Sequence, residues 1–522
     1  MRRKRFKSRI PGAAVLAVSL LARSGTAIAQ TPASGAPPDA DASPAPSSPA
    51  DARIEALEAR VRELESRAAH ESSAPPSAAP TAGTPEQHSA PLDVREPPFS
   101  AHDWSWLNGS NYQPASLLRI GPVTPTLLVD TFYAWDFWQP IDHTIFPSTT
   151  APRHNEIGVN LAYVGLDLNG IDTPLGGPIG RFEIQYGANT ETDAGQDTTT
   201  TRGFYLTNRA FNFVKQAAAG WHFHWMHGVN AEIGILPSYL GFESYVPQEN
   251  WSYAHSFLPD FTPYYLSGVR TQWYFTENTK LEVWLVNGWQ TFGEWHETHG
   301  GGYLLNWRPT GRVYLSHATY VGQDQPRTVD PNNQSIRFLT DNVAQFLAVD
   351  ALGRSFFQRL AFCIVFDAGY EYRGPNAGIP VMGAPTPPNG LLMGAALAVR
   401  AEWTRTVMST VRADVFYDQS GAVISQLPVG NLYSLPGNGH ATNPFEFLAG
   451  GIAATLDWRP SPWLVARLEY AHRLANQPYF GGPGGITGPN GLPPASPADA
   501  AAFHPDLRQY DDRVIFNLTL RL

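Results

Sequence analysis

The chain has 522 residues, with 36 Lys and Arg against 46 Asp and Glu, so its formal net charge is −10. An acidic balance of this kind argues against nucleic acid as a ligand. A single cysteine, Cys363, excludes an intrachain disulfide and a zinc–thiolate cluster, and we interpret it as a small residue on a strand wall. Charged residues make up only 16% of the chain and aromatic residues 12%, a composition that suits lipid exposure with aromatic belts at the membrane interfaces.

The first 29 residues predict a cleavable secretory signal. A basic cluster precedes an apolar run over 13–22, and the motif Ala27-Ile28-Ala29 follows it. The cluster consists of Arg2, Arg3, Lys4, Arg5, Lys7 and Arg9. Cleavage before Gln30 would remove seven basic residues, counting Arg23, and leave 29 against 46 acidic ones, a net charge of −17. After this point no apolar run of about eighteen residues is present, so a transmembrane helix is not expected.

Residues 30–100 are rich in Pro, Ala and Ser and predict a disordered segment. Within it, 53–70 carries apolar residues at the a and d spacing of a short coiled coil: Ile54, Leu57, Val61 and Leu64. Two or three heptads are not stable alone in water. They would be stable if a homotrimer brought three copies together, and the alternative is a frayed monomeric helix or a spacer.

Residues 101–522 show a rhythm of strand-like segments of about ten residues, joined alternately by short turns and long loops. The short connections include 277–279, 308–311, 404–406 and 459–462. The long ones include 323–335, 374–390, 419–444 and 474–510. Regular alternation of short and long connections between successive strands is typical of an outer-membrane β-barrel, in which the short turns face the periplasm.

The predicted fold is therefore all-β, a transmembrane antiparallel barrel of about sixteen strands, with fourteen to eighteen left open. In chain order the predicted strands are 126–138, 156–168, 180–190, 203–215, 229–236, 265–275, 281–290, 301–307, 312–321, 337–349, 356–373, 391–403, 408–417, 445–458, 463–473 and 513–522. The strands 301–307 and 337–349 alternate poorly between apolar and polar residues, so their faces stay unassigned.

Most other strands alternate residue by residue, as a wall with lipid on one side and water on the other requires. The charged residues of the polar face are predicted to line a pore. They are Arg181, Glu183, Arg270, Arg400, Glu402, Arg412, Asp414, Arg467 and Glu469. The alternative is that these residues form cross-strand ion pairs that only fill the wall.

The third long loop, Pro237 to Tyr264, contains Trp251, four Tyr and three Phe. This loop is too apolar to extend into water, so we expect it to fold into the barrel. Glu243, Glu249 and Asp260 would then form a constriction opposite arginines such as Arg400, Arg412 and Arg467. The alternative is a loop that lies over the rim or against a neighbouring subunit.

Histidines are the best candidates for catalysis or metal binding, and they are weak ones. His222 and His224 share a face if 222–224 is extended, and two imidazoles at this spacing can bind a transition metal. His296 and His299 lack the HExxH spacing of a zinc protease. Histidines mixed with Trp are also ordinary at strand ends, so no catalytic residue, metal or cofactor is predicted.

The stretch from Ile235 to Phe275 resembles the core of the OmpL-like β-barrel porin family, and weaker similarity in strand spacing extends over 126–522. The resemblance rests on Gly241 and Glu243, on Asn250 followed by Tyr253 and Ser256, and on Pro263 before Gly268-Val269-Arg270. It implies an outer-membrane porin, in contact with outer-membrane lipid, that passes small hydrophilic solutes passively. A signal, a short coiled coil and a barrel is also the layout of some trimeric diffusion porins. A non-conducting structural or adhesive barrel and a barrel enzyme stay open as alternatives.

Overall fold

The computed structural model describes residues 120–168, 171–192, 199, 211–294, 298–324, 335–350, 356, 358–372, 389–420, 423, 446–461, 463–487, 491–492 and 505–522. The predicted signal, the Pro/Ala/Ser-rich segment and the coiled coil lie outside these residues and stay predictions. Within the described ranges, no helix is both long enough and apolar enough to cross a membrane.

Sixteen antiparallel strands close into a barrel, in which neighbours along the chain pair and the last strand pairs with the first. The barrel strands are β1 Val123–Asp136, β2 Glu156–Leu168, β3 Gly177–Tyr186, β4 Val214–Phe223, β5 Val229–Pro237, β6 Tyr265–Thr276, β7 Thr279–Val286, β8 Gly300–Thr310, β9 Val313–Gly322, β10 Ile336–Asp350, β11 Arg359–Tyr372, β12 Asn389–Glu402, β13 Val407–Asp418, β14 Phe447–Ser461, β15 Leu464–Ala475 and β18 Tyr510–Arg521. The short strands β16 Phe480–Gly481 and β17 Leu507–Arg508 pair outside the barrel. Among the described residues, two single-turn helices, α1 Asn189–Thr192 and α2 Phe257–Asp260, and two 3₁₀ turns, Phe211–Phe213 and Pro247–Glu249, lie in loops.

The predicted fold class and the strand number are confirmed. One strand is misplaced: the prediction put the fourth strand at 203–215, whereas β4 begins at Val214 and ends at Phe223. The sequence of β4 contains Ala217, Ala218, Ala219 and Gly220. These small residues have low strand propensity, so the local sequence gave no strand signal, and the pairing partners β3 and β5 supply it instead.

Short connections lie at one end of the barrel and long connections at the other, as the sequence predicts. At one end of the barrel the connections are 169–176, 224–228, 277–278, 311–312, 351–358, 403–406 and 462–463. At the other end they are 137–155, 187–213, 238–264, 287–299, 323–335, 373–388, 419–446 and 476–509. Every connection in the first set is shorter than every connection in the second, so the two ends of the barrel are built differently.

The two faces of the wall differ in polarity. Outward residues such as Leu397, Val411 and Phe516 are apolar and exposed, whereas Arg412 and Arg467 on the opposite face are buried. A closed ring of strands pairs every backbone group within the sheet, and the apolar outer face suits hydrocarbon. The architecture is therefore that of a transmembrane barrel.

Candidate functional site

The loop 238–264, named the inward loop below, lies inside the barrel. The hydroxyl of Tyr239 donates to the carbonyl of Thr319 on β9 at 2.8 Å, and the hydroxyl of Tyr253 donates to Asp130 on β1 at 2.9 Å. Strands β1 and β9 lie eight positions apart in either direction around the ring. Only a segment within the ring reaches both, so the loop folds inward as its aromatic composition predicts.

Apolar packing holds one side of the inward loop. Phe242, Trp251 and Leu258 are buried against the inner faces of β10, β11 and β12. A Cβ atom on Gly394 of β12 would lie 2.8 Å from Leu258, so a glycine at this position allows the close approach. Full burial of a large apolar side chain contributes about 1.5–3 kcal/mol. These contacts also explain why the sequence of β10 alternates poorly: its inner face carries Val343 and Leu347, which pack against the loop.

Arg467 of β15 binds the backbone of the inward loop. Its Nη1 donates to the carbonyl of Pro247 at 2.5 Å, and its Nη2 donates to the carbonyls of Gln248 at 3.2 Å and Asn250 at 2.7 Å. Its Nε lies 2.8 Å from Asp457 of β14. The planar guanidinium can serve several carbonyls in a fixed geometry, so Arg467 acts as a clamp on the loop.

Wall carboxylates bind the loop from the same side. Glu469 accepts from the backbone N–H groups of Tyr253 at 2.5 Å and Ala254 at 2.9 Å. Asp414 accepts from the N–H of Phe257 at 3.1 Å. Hydrogen bonds to an ionised group are roughly twice as strong as neutral ones, so these wall acids fix the loop backbone.

Each predicted acid of the inward loop forms an ion pair with a wall arginine. Glu243 pairs with Arg412 at 2.5 Å, Asp260 with Arg473 at 2.8 Å, and Glu249 with Arg521 at 2.9 Å. We expected the three acids to lie opposite arginines such as Arg400, Arg412 and Arg467, and of these only Arg412 forms an ion pair with a loop acid. Arg400 binds Asp457 instead, at 2.8 Å. The sequence interpretation missed Arg473 and Arg521 as partners, although the alternation of β15 and β18 places both on the inner face.

Tyr253 anchors the centre of the loop. Burial, and after it the neighbouring carboxylate of Asp130, raise the pKa of the Tyr253 phenol well above its usual value. The phenol therefore keeps its proton and stays a hydrogen-bond donor to Asp130. Thr519 of β18 donates to the other oxygen of that carboxylate at 2.6 Å, so the tyrosine joins the loop to the seam where the barrel closes.

The other predicted inner charges form cross-strand pairs. Arg181 of β3 pairs with Asp167 of β2. Glu183 pairs with Lys215 at 2.5 Å, Arg270 with Glu232 at 2.5 Å, and Glu402 with Arg359 at 3.3 Å. Lys215 was missed because the predicted fourth strand ended on it, whereas it lies at the start of β4. All nine predicted wall residues lie on the inner face, most of them in ion pairs.

Neutralising the loop acids together, with Glu243→Gln, Glu249→Gln and Asp260→Asn, should make the interior more positive. The substitutions remove the carboxylate partners of three arginines while keeping side-chain size. Reversal potentials measured in a salt gradient should shift toward anions. Glu277→Gln, in the exposed two-residue turn 277–278, is the matched control and should give no shift. Equal reversal potentials in the triple variant and the wild type would contradict a role for these acids in the passage.

The histidines do not form a metal site within the described residues. His222 is buried on the inner face and its Nδ1 lies 2.7 Å from the amide oxygen of Asn230. His224 pairs with Asp172 at 2.8 Å, and the rings of His222 and His224 lie 5.7 Å apart. In the ranges that the structure describes, no group of three or more His, Cys, Asp or Glu side chains is placed to hold a metal ion.

A closed sixteen-strand ring with an apolar outer face and a charged inner face agrees with the match to known families. A family described as "Putative beta-barrel porin-2, OmpL-like" matches residues 122–490. The chain belongs to this family. It is an outer-membrane protein, and its family supports a channel role. No curated protein matches the chain at a significant level.

Solved structures with a similar fold have low sequence identity to this chain. The anion-selective porin from Comamonas acidovorans is 9% identical, with 77% of this chain and 99% of that chain covered and a TM-score of 0.44. The outer-membrane channel DcaP of Acinetobacter baumannii is 11% identical, with 78% and 100% covered and a TM-score of 0.44. Salmonella typhi OmpF is 11% identical, with 77% and 97% covered and a TM-score of 0.45. These likenesses are too distant to bear on function.

Proposed function

We propose that this protein is a porin through which small hydrophilic solutes or ions diffuse passively. The observation that carries the proposal is the inner wall, where charged side chains face the space enclosed by the strands while apolar side chains face outward. A wall of this polarity stabilises water inside the ring, and solutes in that water need no cofactor to cross.

In this proposal the inward loop sets the cross-section of the passage. The loop is tied to β1 and β9 on opposite sides of the ring and to β13 and β15 between them, so it crosses the interior and covers the wall on that side in a fixed position. Solutes then pass between the loop and the part of the wall that it leaves uncovered. Size exclusion follows from the loop, and charge preference follows from the side chains along that remaining wall.

Planar-bilayer recording with purified protein tests the proposal. We expect discrete conductance steps in KCl, and we expect proteoliposomes to swell in small neutral sugars but not in large ones. Heat-dependent gel mobility serves as the control that each preparation contains folded barrels, because a closed sheet resists detergent until heated. Folded protein that gives neither current nor swelling would disprove the porin function.

The burial of most of the inward loop favours one alternative, a non-conducting structural barrel whose interior the loop fills. The same recordings decide between the two functions. A barrel enzyme has less support, since His222 is hydrogen-bonded within the wall. Trimer formation through Ile54, Leu57, Val61 and Leu64 stays a prediction from the sequence.

A further inference from the structure

The inner wall has two regions that differ in solvent exposure. Around the inward loop, Arg400, Arg412, Arg467 and Arg473 have side-chain exposures of 5% or less, because loop backbone and wall carboxylates cover them. On β3, β4 and β6 the cations reach water: Arg181 is 46% exposed, Arg270 14% and Lys215 12%. Water inside the barrel therefore reaches these three cations and is excluded from the four arginines; at the loop it also reaches Glu249, 23% exposed, and its partner Arg521, 11% exposed.

The exposed cations lie close together on one part of the wall, on β3, β4 and β6. Arg181 pairs with Asp167, which lies next to the short connection 169–176. Lys215 lies at the start of β4, next to the long connection 187–213. Arg270 lies in the middle of β6, opposite Glu232 in the β5–β6 register. In the pairing register Arg181 lies opposite Ala218 and Glu232 lies opposite Gly220, so the three cations lie within about six residues of one another along the wall.

We infer that the passage runs along β3, β4 and β6 and that Arg181, Lys215 and Arg270 make it selective for small anions such as carboxylates and inorganic phosphate. This inference rests on the proposed porin function and assigns its route and solute class. The arginines that clamp the inward loop do not contact the solute on this route.

The sign of the preference follows from which member of each ion pair faces water. Arg181, Arg270 and Lys215 are each more exposed than their acid partners, which are 18%, 9% and 6% exposed for Asp167, Glu232 and Glu183. A solute in the passage therefore meets the guanidinium or ammonium group first, and the carboxylate lies behind it. An isolated unit charge about 7 Å away in water favours an anion over a neutral solute by roughly two- to threefold and disfavours a cation by the same factor. The carboxylate behind each cation offsets part of this effect, so the net preference for anion over cation is modest.

Reversal potentials in a KCl gradient test the charge preference. The wild type should favour chloride by about two- to threefold, and the double variant Lys215→Gln, Arg270→Gln should favour potassium because Glu183 and Glu232 remain. Arg405→Gln, in the exposed turn 403–406, removes a cation outside the interior and should match the wild type. A wild type that favours potassium, or a double variant equal to the wild type, would overturn the inference.

Thiol labelling tests the route independently of current. Arg181→Cys should react rapidly with a neutral methanethiosulfonate reagent in folded protein, because the side chain it replaces is 46% exposed. Ala453→Cys, on the inner face of β14 and 1% exposed, is the matched control and should react slowly, like the fully buried Cys363 of the wild type. Equal rates at 181 and 453 would overturn the route. Absence of current with fast labelling at 181 would instead disprove the porin function alone.

Discussion

Deleting Tyr245–Phe257 should raise single-channel conductance at least about twofold, since conductance grows with the open cross-section. The deleted segment carries Trp251, Tyr253 and the backbone groups that Arg467 and Glu469 bind. Pro237 and Tyr265, at the two ends of the loop, pair directly across β5 and β6, so the fourteen residues that remain can close the connection. The wall groups that lose their loop partners would become hydrated.

Conductance and size exclusion measure the result of the deletion. The deleted barrel should admit larger neutral polymers than the wild type while keeping its heat-dependent gel mobility, because the loop contributes no strand to the ring. Loss of that mobility would mean that the loop is needed for folding, in which case Arg467→Ala below provides the test. Unchanged conductance in a folded barrel would show that the loop does not limit the passage.

Arg467→Ala should release the inward loop without unfolding the barrel. The change removes three hydrogen bonds to loop carbonyls and one partner of Asp457. Removing one member of a buried charged pair costs about 3–5 kcal/mol. We expect this cost to appear as local opening of the loop, because Arg400 and Arg459 still pair with Asp457 and the strand pairings are unaffected.

Two measurements detect the opening of the inward loop: hydrogen exchange of the loop amides and the noise of single-channel currents. Exchange at Tyr253 and Ala254 should accelerate by about a hundredfold or more for an opening cost lowered by about 3 kcal/mol, and single-channel currents should flicker between two levels. Arg467→Lys is the control, since it keeps the charge but not the fork that serves several carbonyls, and it should fall between alanine and wild type. If the Tyr253 amide of the alanine variant exchanges at the wild-type rate, Arg467 does not hold the loop in place.

Elements that depend on local pattern were predictable from the sequence. Most of the strands, the alternation of short and long connections and the lipid-facing residues follow from a two-residue period and from turn chemistry, which are local properties. The inner-face position of residues such as Arg412 and Arg467 follows from the same period. Even the inward fold of the loop was predictable, since one aromatic-rich loop among polar ones requires an apolar surface to pack against.

Positions that depend on a partner far along the chain were decided only by the tertiary structure. The strand β4 has no local signal and exists because β3 and β5 pair with it. The inner face of β10 is apolar because Phe242, Trp251 and Leu258 of the inward loop pack nearby.

The sequence determined that this protein forms a barrel wall with charged residues inside, and it determined most of those residues, although not Lys215. Only the tertiary structure decided which of these charges contact water. Arg467 and Arg181 occupy equivalent inner-face positions, yet loop backbone covers the first and leaves the second exposed. The physical reason is that alternation fixes the direction of a side chain, whereas its environment depends on a loop more than two hundred residues away from β15, folded against one side of the ring.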